Sequence, residues 1–193
     1  MTTNAGATAT TTAGAAPAAA TPAVHPHPSG TASLPPLVYR DDDMLAILRS
    51  NRTVAMVGAS PDWNRPSYFV LKYLLRKGYH VIPVNPRAAG GEILGQRVYG
   101  SLAEIPEPVD VVDVFRRADA VPGIMAEAIA LGASAVWLQL GIRNDEAARA
   151  AEAAGLTVIQ DRCMKIEYGR LSGELAWSGV NTGIISSRRR KQL

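Results

Sequence analysis

The sequence has few of the residues that signal disulfide, metal or membrane function. Its 193 residues include one cysteine, Cys163, and a lone thiol forms neither an internal disulfide nor a cysteine-rich metal site. Such sparing use of cysteine is typical of a reducing compartment, so we expect a cytoplasmic protein. No segment approaches the ~18 consecutive apolar residues of a membrane span. We therefore predict no metal site and no membrane partner.

Charged side chains are missing from the first 36 residues, which are mostly Ala, Thr, Pro and Gly. Such a segment has too few large apolar side chains to offset the entropy lost on ordering. We predict a disordered tail over residues 1–36 and a folded domain over 37–170. Residues 171–193 are predicted to form a C-terminal extension that ends in a basic tail.

The formal net charge of +3 comes from that basic tail. When its four cations are left out, the formal charge of the rest falls from +3 to −1; they are Arg188, Arg189, Arg190 and Lys191. A near-neutral body weighs against a nucleic-acid-binding face on the fold. We interpret the basic run as a solvated tail.

Short apolar runs alternate with helical patterns through the folded part. Strands are predicted over residues 53–57, 80–84, 109–115, 135–139 and 157–159. Helices are predicted over residues 41–48, 67–77, 120–131 and 144–154. This alternation is typical of βαβ units, which build a parallel sheet covered on both faces.

The fold class that follows is α/β, with a Rossmann-like doubly wound parallel sheet of five strands in the order 3-2-1-4-5. Pro83 makes the second strand imperfect, because proline removes a donor from the hydrogen-bond ladder. Ligands of such sheets lie at the carboxyl ends of the strands, where the strand order reverses. We expect the binding site there, and we leave open whether copies of the chain pair into a homo-oligomer.

The first strand leads into a loop suited to an anion. Gly58, Ala59 and Ser60 follow the strand, and the next helix begins near Ser67. Backbone N–H groups and the positive end of a helix favour phosphate at such a turn. Arg65, just before the helix, adds a guanidinium.

The full dinucleotide fingerprint is missing, since only its first glycine is present. The second strand also ends in Asn85, Pro86 and Arg87 rather than in the carboxylate that holds the ribose of NAD. An arginine here suits a phosphorylated ribose, which NADP and coenzyme A both possess. Each of the three residues is also compatible with a plain, solvated turn.

These segments together resemble those of the small bacterial CoA-binding proteins, which are related to the nucleotide-binding domain of the succinyl-CoA synthetase alpha subunit. The resemblance extends from about residue 40 to 170, and it is carried by 57–60 (VGAS), 65–67 (RPS), 81–86 (VIPVNP), Gly95 with 98–99 (VY), 112–116 (VDVFR), 136–141 (VWLQLG) and 161–165 (DRCMK). It implies a stand-alone Rossmann-like domain that binds coenzyme A or an acyl-CoA, with no firmly attached catalytic activity.

The resemblance also implies roles for single residues. Gly58, Ala59 and Ser60 would contact the pyrophosphate, supported by Arg65 and Ser67. Asn85, Pro86 and Arg87 would lie near the adenosine phosphate, while Phe115 and Arg116 would lie beside the adenine and the pantetheine arm. Gln139 and Gly141, at the end of the fourth strand, indicate a close approach of ligand or of a neighbouring turn.

Two alternatives to simple CoA binding stay open. An NADP-linked oxidoreductase would need a proton donor near the nicotinamide, and His80 is predicted at the edge opposite the site. A redox or regulatory protein would act through Cys163, whose thiolate Arg162 and Lys165 would favour. Cys163 is either an inert buried thiol or, as a more specific hypothesis, a thiol that forms a mixed disulfide with CoA. Trp137 is predicted in the core, and Trp63 as a lid on the ligand.

Overall fold

The computed structural model describes residues 1–2 and 39–174. The helices in this part are α1 (Asp41–Ser50), α2 (Pro66–Arg76), α3 (Val121–Leu131), α4 (Asp145–Ala153) and α5 (Met164–Leu171). The strands are β1 (Thr53–Val57), β2 (His80–Val84), β3 (Glu92–Ile93), β4 (Gln96–Arg97), β5 (Val111–Val114), β6 (Ala135–Leu138) and β7 (Thr157–Ile159). Apart from residues 1–2 and 171–174, the predicted tail and the predicted extension with its basic run lie outside the described residues.

Five of these strands, β1, β2, β5, β6 and β7, form one parallel sheet. Every residue of β5 and β6 is buried, as expected for a sheet covered on both faces. The apolar side chains of α1, α2 and α5 share a core with Met56 and Trp137, and no residue of that core comes from α3 or α4, which contact each other. The predicted α/β, Rossmann-like parallel sheet of five strands is confirmed, as is the core position of Trp137.

The predicted strand order is wrong. The sheet runs β2-β1-β5-β6-β7, which is 2-1-3-4-5 when the sheet strands are counted along the chain, instead of 3-2-1-4-5. The third sheet strand therefore pairs with the first and leaves the second at the edge. In this order the reversal point lies between β1 and β5.

Contacts at both ends of the connection between β2 and β5 explain this order. The chain forms the β3–β4 hairpin, and Tyr99 then bonds to the outer edge of β2, where its N–H donates to Pro83 O at 3.0 Å and its carbonyl accepts from Asn85 N at 2.8 Å. The Asp110 carboxylate meanwhile accepts from the N–H groups of Arg52 and Thr53 at 2.8 and 2.9 Å, which fixes the start of β5 beside β1. Pro83 was the sequence signal for an edge strand, because proline is tolerated at edges and not in central strands.

Most helix ends follow the local sequence. The Asn144 side chain accepts from Ala147 N at 3.0 Å and caps α4, while Gly132 ends α3 in a left-handed conformation with φ 75°. Three aspartates occupy the first turn of α1, where the helix dipole favours them. The β3–β4 hairpin and α5 were not predicted. Within the described residues, no helix has the length and apolarity that crossing a bilayer requires.

Candidate functional site

A cavity of about 500 Å³ opens at the carboxyl ends of the strands. It lies beyond the ends of the paired strands β1 and β5, at the point where the strand order reverses. Its walls are formed by Gly58, Ser60, Arg65, Pro66, Ser67, Val70, Asn85, Arg87, Phe115, Arg116, Gln139, Leu140, Ile142 and Cys163. The predicted location of a site at this edge agrees with the geometry, although the neighbouring strand is β5 and not β6.

Most residues predicted for the site line this cavity, and the exceptions are Ala59, Pro86 and Gly141. Ala59 is fully buried, and its carbonyl accepts from Asn85 Nδ2 at 2.7 Å. Gly141 lines a shallow depression beside the cavity, and its N–H donates to Asp161 Oδ1 at 2.8 Å. Pro86 is exposed. These three shape the loops around the cavity, and their contact with a ligand stays a prediction.

The β1–α2 loop approaches β5 so closely that its first residue must be glycine. Gly58 has φ 88°, and a Cβ atom there would lie 3.0 Å from Phe115 O and 3.0 Å from Arg116 Cδ. Ser60 Oγ accepts from Asp62 N at 3.2 Å, and Asp62 Oδ1 accepts from Asn64 N at 3.0 Å, which shapes the rest of the loop. The loop therefore places its backbone against the wall of the cavity.

Helix α2 begins at this loop and turns its positive end toward the cavity. Its cap residue, Arg65, makes no side-chain hydrogen bond to the first turn, and Pro66 provides the favoured first position. Both Pro66 and the buried Ser67 line the cavity. An anion at this point would meet the unpaired end of the helix dipole.

Asn85 joins the two loops that follow β1 and β2. Its Nδ2 donates to Ala59 O, and its Oδ1 accepts from Arg87 N at 3.0 Å. Both ends of the amide are thus bonded within the protein, so Asn85 acts on the site by holding the two loops together. Asn85 was predicted to belong to the site, but its role in linking the two loops was not predicted.

Positive charge surrounds the mouth of the cavity. Three exposed guanidinium groups line it, those of Arg65, Arg87 and Arg116. Arg87 and Arg116 also line an adjoining depression together with Arg117. The Arg117 guanidinium has its Nη2 3.4 Å from Asp119 Oδ2. A mouth of this charge attracts and concentrates anionic ligands.

Gln139, which lines the cavity, forms a pair with a buried carboxyl behind it, and the sequence analysis did not predict this pairing. Gln139 is 5% exposed, and its Nε2 donates to Asp113 Oδ1 at 2.7 Å. Burial raises the pKa of the Asp113 carboxyl to about 7, and bonds from Gln139 and from the Val114 backbone oppose that rise. The available signal was an aspartate inside the apolar run VVDVF.

Cys163 also lines the cavity, where it precedes α5. Burial raises the pKa of its thiol, although the backbone N–H groups of Ile166 and Lys165 and the charge of Lys165 act in the opposite direction. Lys165 thus lowers the pKa of the thiol as the thiolate hypothesis expected, but desolvation outweighs it, and the net direction agrees with the alternative of a buried thiol. Arg162 instead has its Nε 3.8 Å from Glu167 Oε1.

Apolar side chains complete the walls and rim. Val70, Leu140 and Ile142 line the cavity and were not predicted, although Val70 lies one helical turn after Ser67 and on the same face of α2. Leu140 is 59% exposed, and Trp63 in the β1–α2 loop is 66% exposed. Exposed large apolar residues beside a concave site are typical of ligand-binding surfaces.

Comparison with known proteins identifies a family. The model of a family described as a CoA binding domain matches residues 52–169. The uncharacterized protein YneT of Bacillus subtilis is 39% identical over 122 residues, which cover 63% of this chain and 89% of that protein. A solved structure of a hypothetical protein from Pyrococcus horikoshii OT3 has 41% sequence identity and a TM-score of 0.67, and the match covers 70% of this chain and 94% of that one.

A similarity to larger enzymes covers only a part of them. The alpha subunit of ADP-forming acetate–CoA ligase I from Pyrococcus furiosus is 34% identical over 87 residues, which are 43% of this chain and 19% of that subunit. The chain therefore matches one portion of the ligase subunit and not its whole length. The expected resemblance to CoA-binding proteins is confirmed.

Proposed function

The chain belongs to the family of the CoA binding domain, and from this premise we propose that it binds coenzyme A, free or acylated, at the cavity and does not catalyse a reaction. The observation that carries the proposal is that groups suited to phosphates and groups suited to an uncharged arm line one cavity. The lining of this cavity contains a loop suited to an anion, three exposed guanidinium groups, apolar side chains and a thiol. Coenzyme A likewise has phosphates at one end and an uncharged arm with a thiol at the other.

The phosphates would occupy the mouth. The backbone of the Gly58–Ser60 loop and the start of α2 would hold the pyrophosphate, with Arg65 beside it. Arg87 and Arg116 would bind the phosphate on the ribose. The pantetheine arm would then pass between Phe115 and Ile142 toward Cys163.

The groups in the cavity support binding more than catalysis. The histidine of the described part, His80, lies at the amino end of β2 and has its Nε2 3.1 Å from Glu107 Oε2, so it faces away from the cavity. Asp113 is fully buried behind Gln139. These positions offer no paired acid and base to a ligand at the mouth.

Calorimetric titration under reducing conditions tests the proposal. We expect CoA to bind, NADPH to give no signal, and dephospho-CoA, which lacks the ribose phosphate, to bind about 10- to 100-fold more weakly, since one charge-assisted hydrogen bond contributes ~1.5–3 kcal/mol. Acetyl-CoA in the same series measures the preference for an acylated ligand. Binding of NADPH with no binding of CoA would overturn the proposal.

A variant of Arg87 sharpens this test. Arg87→Gln should weaken the binding of CoA and leave that of dephospho-CoA unchanged, because the lost guanidinium would serve only the missing phosphate. Arg49→Gln, at an exposed position of α1, is the matched control. An equal loss for both ligands would assign Arg87 to general attraction of anions instead.

A further inference from the structure

Side chains from β5, β6 and the start of α5 meet beside the cavity. Asp113 pairs in register with Trp137, and Trp137 Nε1 donates to Arg162 O at 2.8 Å. This bond fixes the turn before α5 beside the Asp113–Trp137 row of the sheet. Cys163 follows directly and lines the cavity, and the charge of Asp113 is close enough to act on its thiol.

Asp113 fixes the orientation of the Gln139 amide. Its carboxyl oxygen Oδ1 accepts from Gln139 Nε2, so the amide nitrogen is turned toward Asp113 and the amide oxygen away from it. Gln139 lines the cavity, and no donor from the described residues is bonded to its oxygen. The cavity therefore offers a fixed hydrogen-bond acceptor.

A second acceptor lies behind the first. Asp113 is fully buried, and its Oδ2 has no hydrogen-bond partner within the part of the chain that the structure describes. A buried polar atom without a partner is costly, and such atoms are rare in folded proteins. The oriented amide and the thiol both line the cavity, and the unsatisfied carboxyl lies next to the amide inside the protein.

We propose that Cys163 forms a reversible mixed disulfide with the thiol of coenzyme A, while the Gln139 oxygen accepts from the amide N–H that lies two methylene groups from that thiol. This inference rests on the proposed function, because it places the thiol end of the bound ligand beside Cys163. It assigns to the site a covalent, redox-dependent state in addition to reversible binding.

The exchange needs a disulfide as co-reactant, and CoA disulfide supplies it. The Cys163 thiol loses its proton, and the thiolate attacks one sulfur of CoA disulfide. A new bond forms between Cys163 and that CoA sulfur, the old S–S bond breaks, and the departing CoA thiolate takes up a proton. One protein thiol and one CoA disulfide thus give one mixed disulfide and one free CoA, and a reducing thiol reverses the step.

The surroundings of Cys163 make this reaction selective for a bound ligand. Its raised pKa keeps the group mainly as a thiol at neutral pH, so it reacts slowly with disulfides in bulk solution. A disulfide that is held in the cavity reacts through its high local concentration instead. Selectivity would therefore come from binding and not from an unusually reactive sulfur.

Intact-mass spectrometry on the full chain tests the inference. We expect CoA disulfide to add one CoA, less two hydrogen atoms, and dithiothreitol to remove it. The adduct should form about tenfold faster or more than the adduct from glutathione disulfide, since only the former is held by the cavity. Because Cys163 is the chain's only cysteine, Cys163→Ser should give no adduct at all.

The role of Gln139 has its own test. Gln139→Met should slow the reaction with CoA disulfide several-fold and leave the reaction with glutathione disulfide unchanged, while Gln96→Met, on the β3–β4 hairpin, should change neither. If Gln139→Met does not fold, the role of Gln139 is tested on the unmodified protein by comparing its rates of reaction with two small disulfides. Pantethine carries the amide N–H beside its disulfide and should react faster than diethyl disulfide, which carries no donor there.

The outcomes separate this inference from the function beneath it. CoA that binds under reducing conditions while CoA disulfide gives no adduct would overturn the mixed disulfide and leave the proposed function standing. Equal rates with CoA disulfide and glutathione disulfide would also overturn it, since the thiol would then react without the site. No binding of reduced CoA in the calorimeter would instead overturn the proposed function itself.

Discussion

Asp110 and Asp113 lie on the same segment, one at the amino edge of the sheet and the other within β5. The Asp110 carboxylate accepts from two backbone N–H groups, those of Arg52 and Thr53, and its carbonyl accepts from Ser134 Oγ at 2.8 Å. Asp113 has one side-chain bond, to Gln139, and one oxygen without a partner among the described residues. The amino edge therefore satisfies its polar groups within the protein, whereas the carboxyl edge leaves acceptors and cations directed at a cavity. The same type of side chain thus accepts two backbone hydrogen bonds at one edge and, within the described part of the chain, retains an unpaired oxygen at the other.

The largest expected effect comes from titrating Asp113. Burial raises the pKa of its carboxyl to about 7 in the folded protein, from about 4 for an ordinary aspartate, so the folded state binds more protons than the unfolded chain between these pH values. The contribution of Asp113 to the free energy of unfolding should then fall as pH rises from about 4 to about 7. We expect this contribution to be on the order of 2–4 kcal/mol.

Urea denaturation from pH 4 to pH 8 measures this contribution of Asp113 to the free energy of unfolding. Asp113→Asn should remove this part of the pH dependence. Between pH 4 and pH 8 the variant should therefore lose less of its free energy of unfolding than the wild type does. The difference between the two proteins isolates Asp113 from the other carboxyls. Parallel pH curves for the two would show that Asp113 is ionised in the folded state.

Gly58 gives the next largest effect. Gly58 and Gly78 both have positive φ, at 88° and 80°, but only at Gly58 would an added Cβ meet a backbone oxygen. Each change to alanine should cost about 1–2 kcal/mol for the left-handed conformation. Gly58→Ala should cost about 1 kcal/mol more, because the loop must move away from β5.

CoA titration completes this comparison. Gly58→Ala should lower the affinity about tenfold or more through displacement of the anion-binding loop. Gly78→Ala lies at the end of α2 and should retain it. A similar affinity loss in both variants would mean that overall stability, not loop position, controls binding.

Asp110→Ala tests the opposite edge. Loss of its two hydrogen bonds should lower the free energy of unfolding by about 1–3 kcal/mol. CoA affinity should stay at its original value, since no atom of Asp110 lines the cavity. Glu127→Ala, at an exposed position of α3, is the matched control in both chemical denaturation and titration. A drop in affinity for Asp110→Ala alone would show that the two edges are coupled.

The smallest effect concerns the rim. Trp63 is exposed and Trp137 is fully buried, so ligand binding should change the fluorescence of Trp63 and not that of Trp137. In a Trp177→Phe background, which leaves Trp63 and Trp137 as the two tryptophans, Trp63→Phe should abolish the change while altering the affinity by less than about threefold, a typical effect for a surface substitution. A signal that persists in Trp63→Phe would contradict the predicted lid.

Local signals in the sequence predicted the elements but not their order. The helix ends at Gly132 and Asn144 depend on adjacent residues, and they were predicted for that reason. Strand order depends on bonds between distant segments, such as Asp110 with Thr53 and Tyr99 with Pro83. Composition and periodicity contain no record of those pairings.

The site was predictable where its residues follow strand ends. The carboxyl ends of parallel strands meet at one edge, which is why Gly58, Arg87 and Phe115 could be grouped from the sequence. Val70 and Ile142 could not be distinguished from ordinary core residues. The pairing of Asp113 with Gln139 depends on the register of β5 against β6, which only the fold reveals.

The bond between Tyr99 and β2 has a consequence for self-association. An open strand edge is a template on which another chain can add, and such edges lead to aggregation unless they are covered. Tyr99 occupies the outer edge of β2, and Pro83 in that strand has no N–H to offer. The sheet's other outer strand, β7, has three residues, too short a template for stable strand addition. Copies of this domain that associate would therefore meet through their helices and loops, and the β-sheet would stay closed to growth.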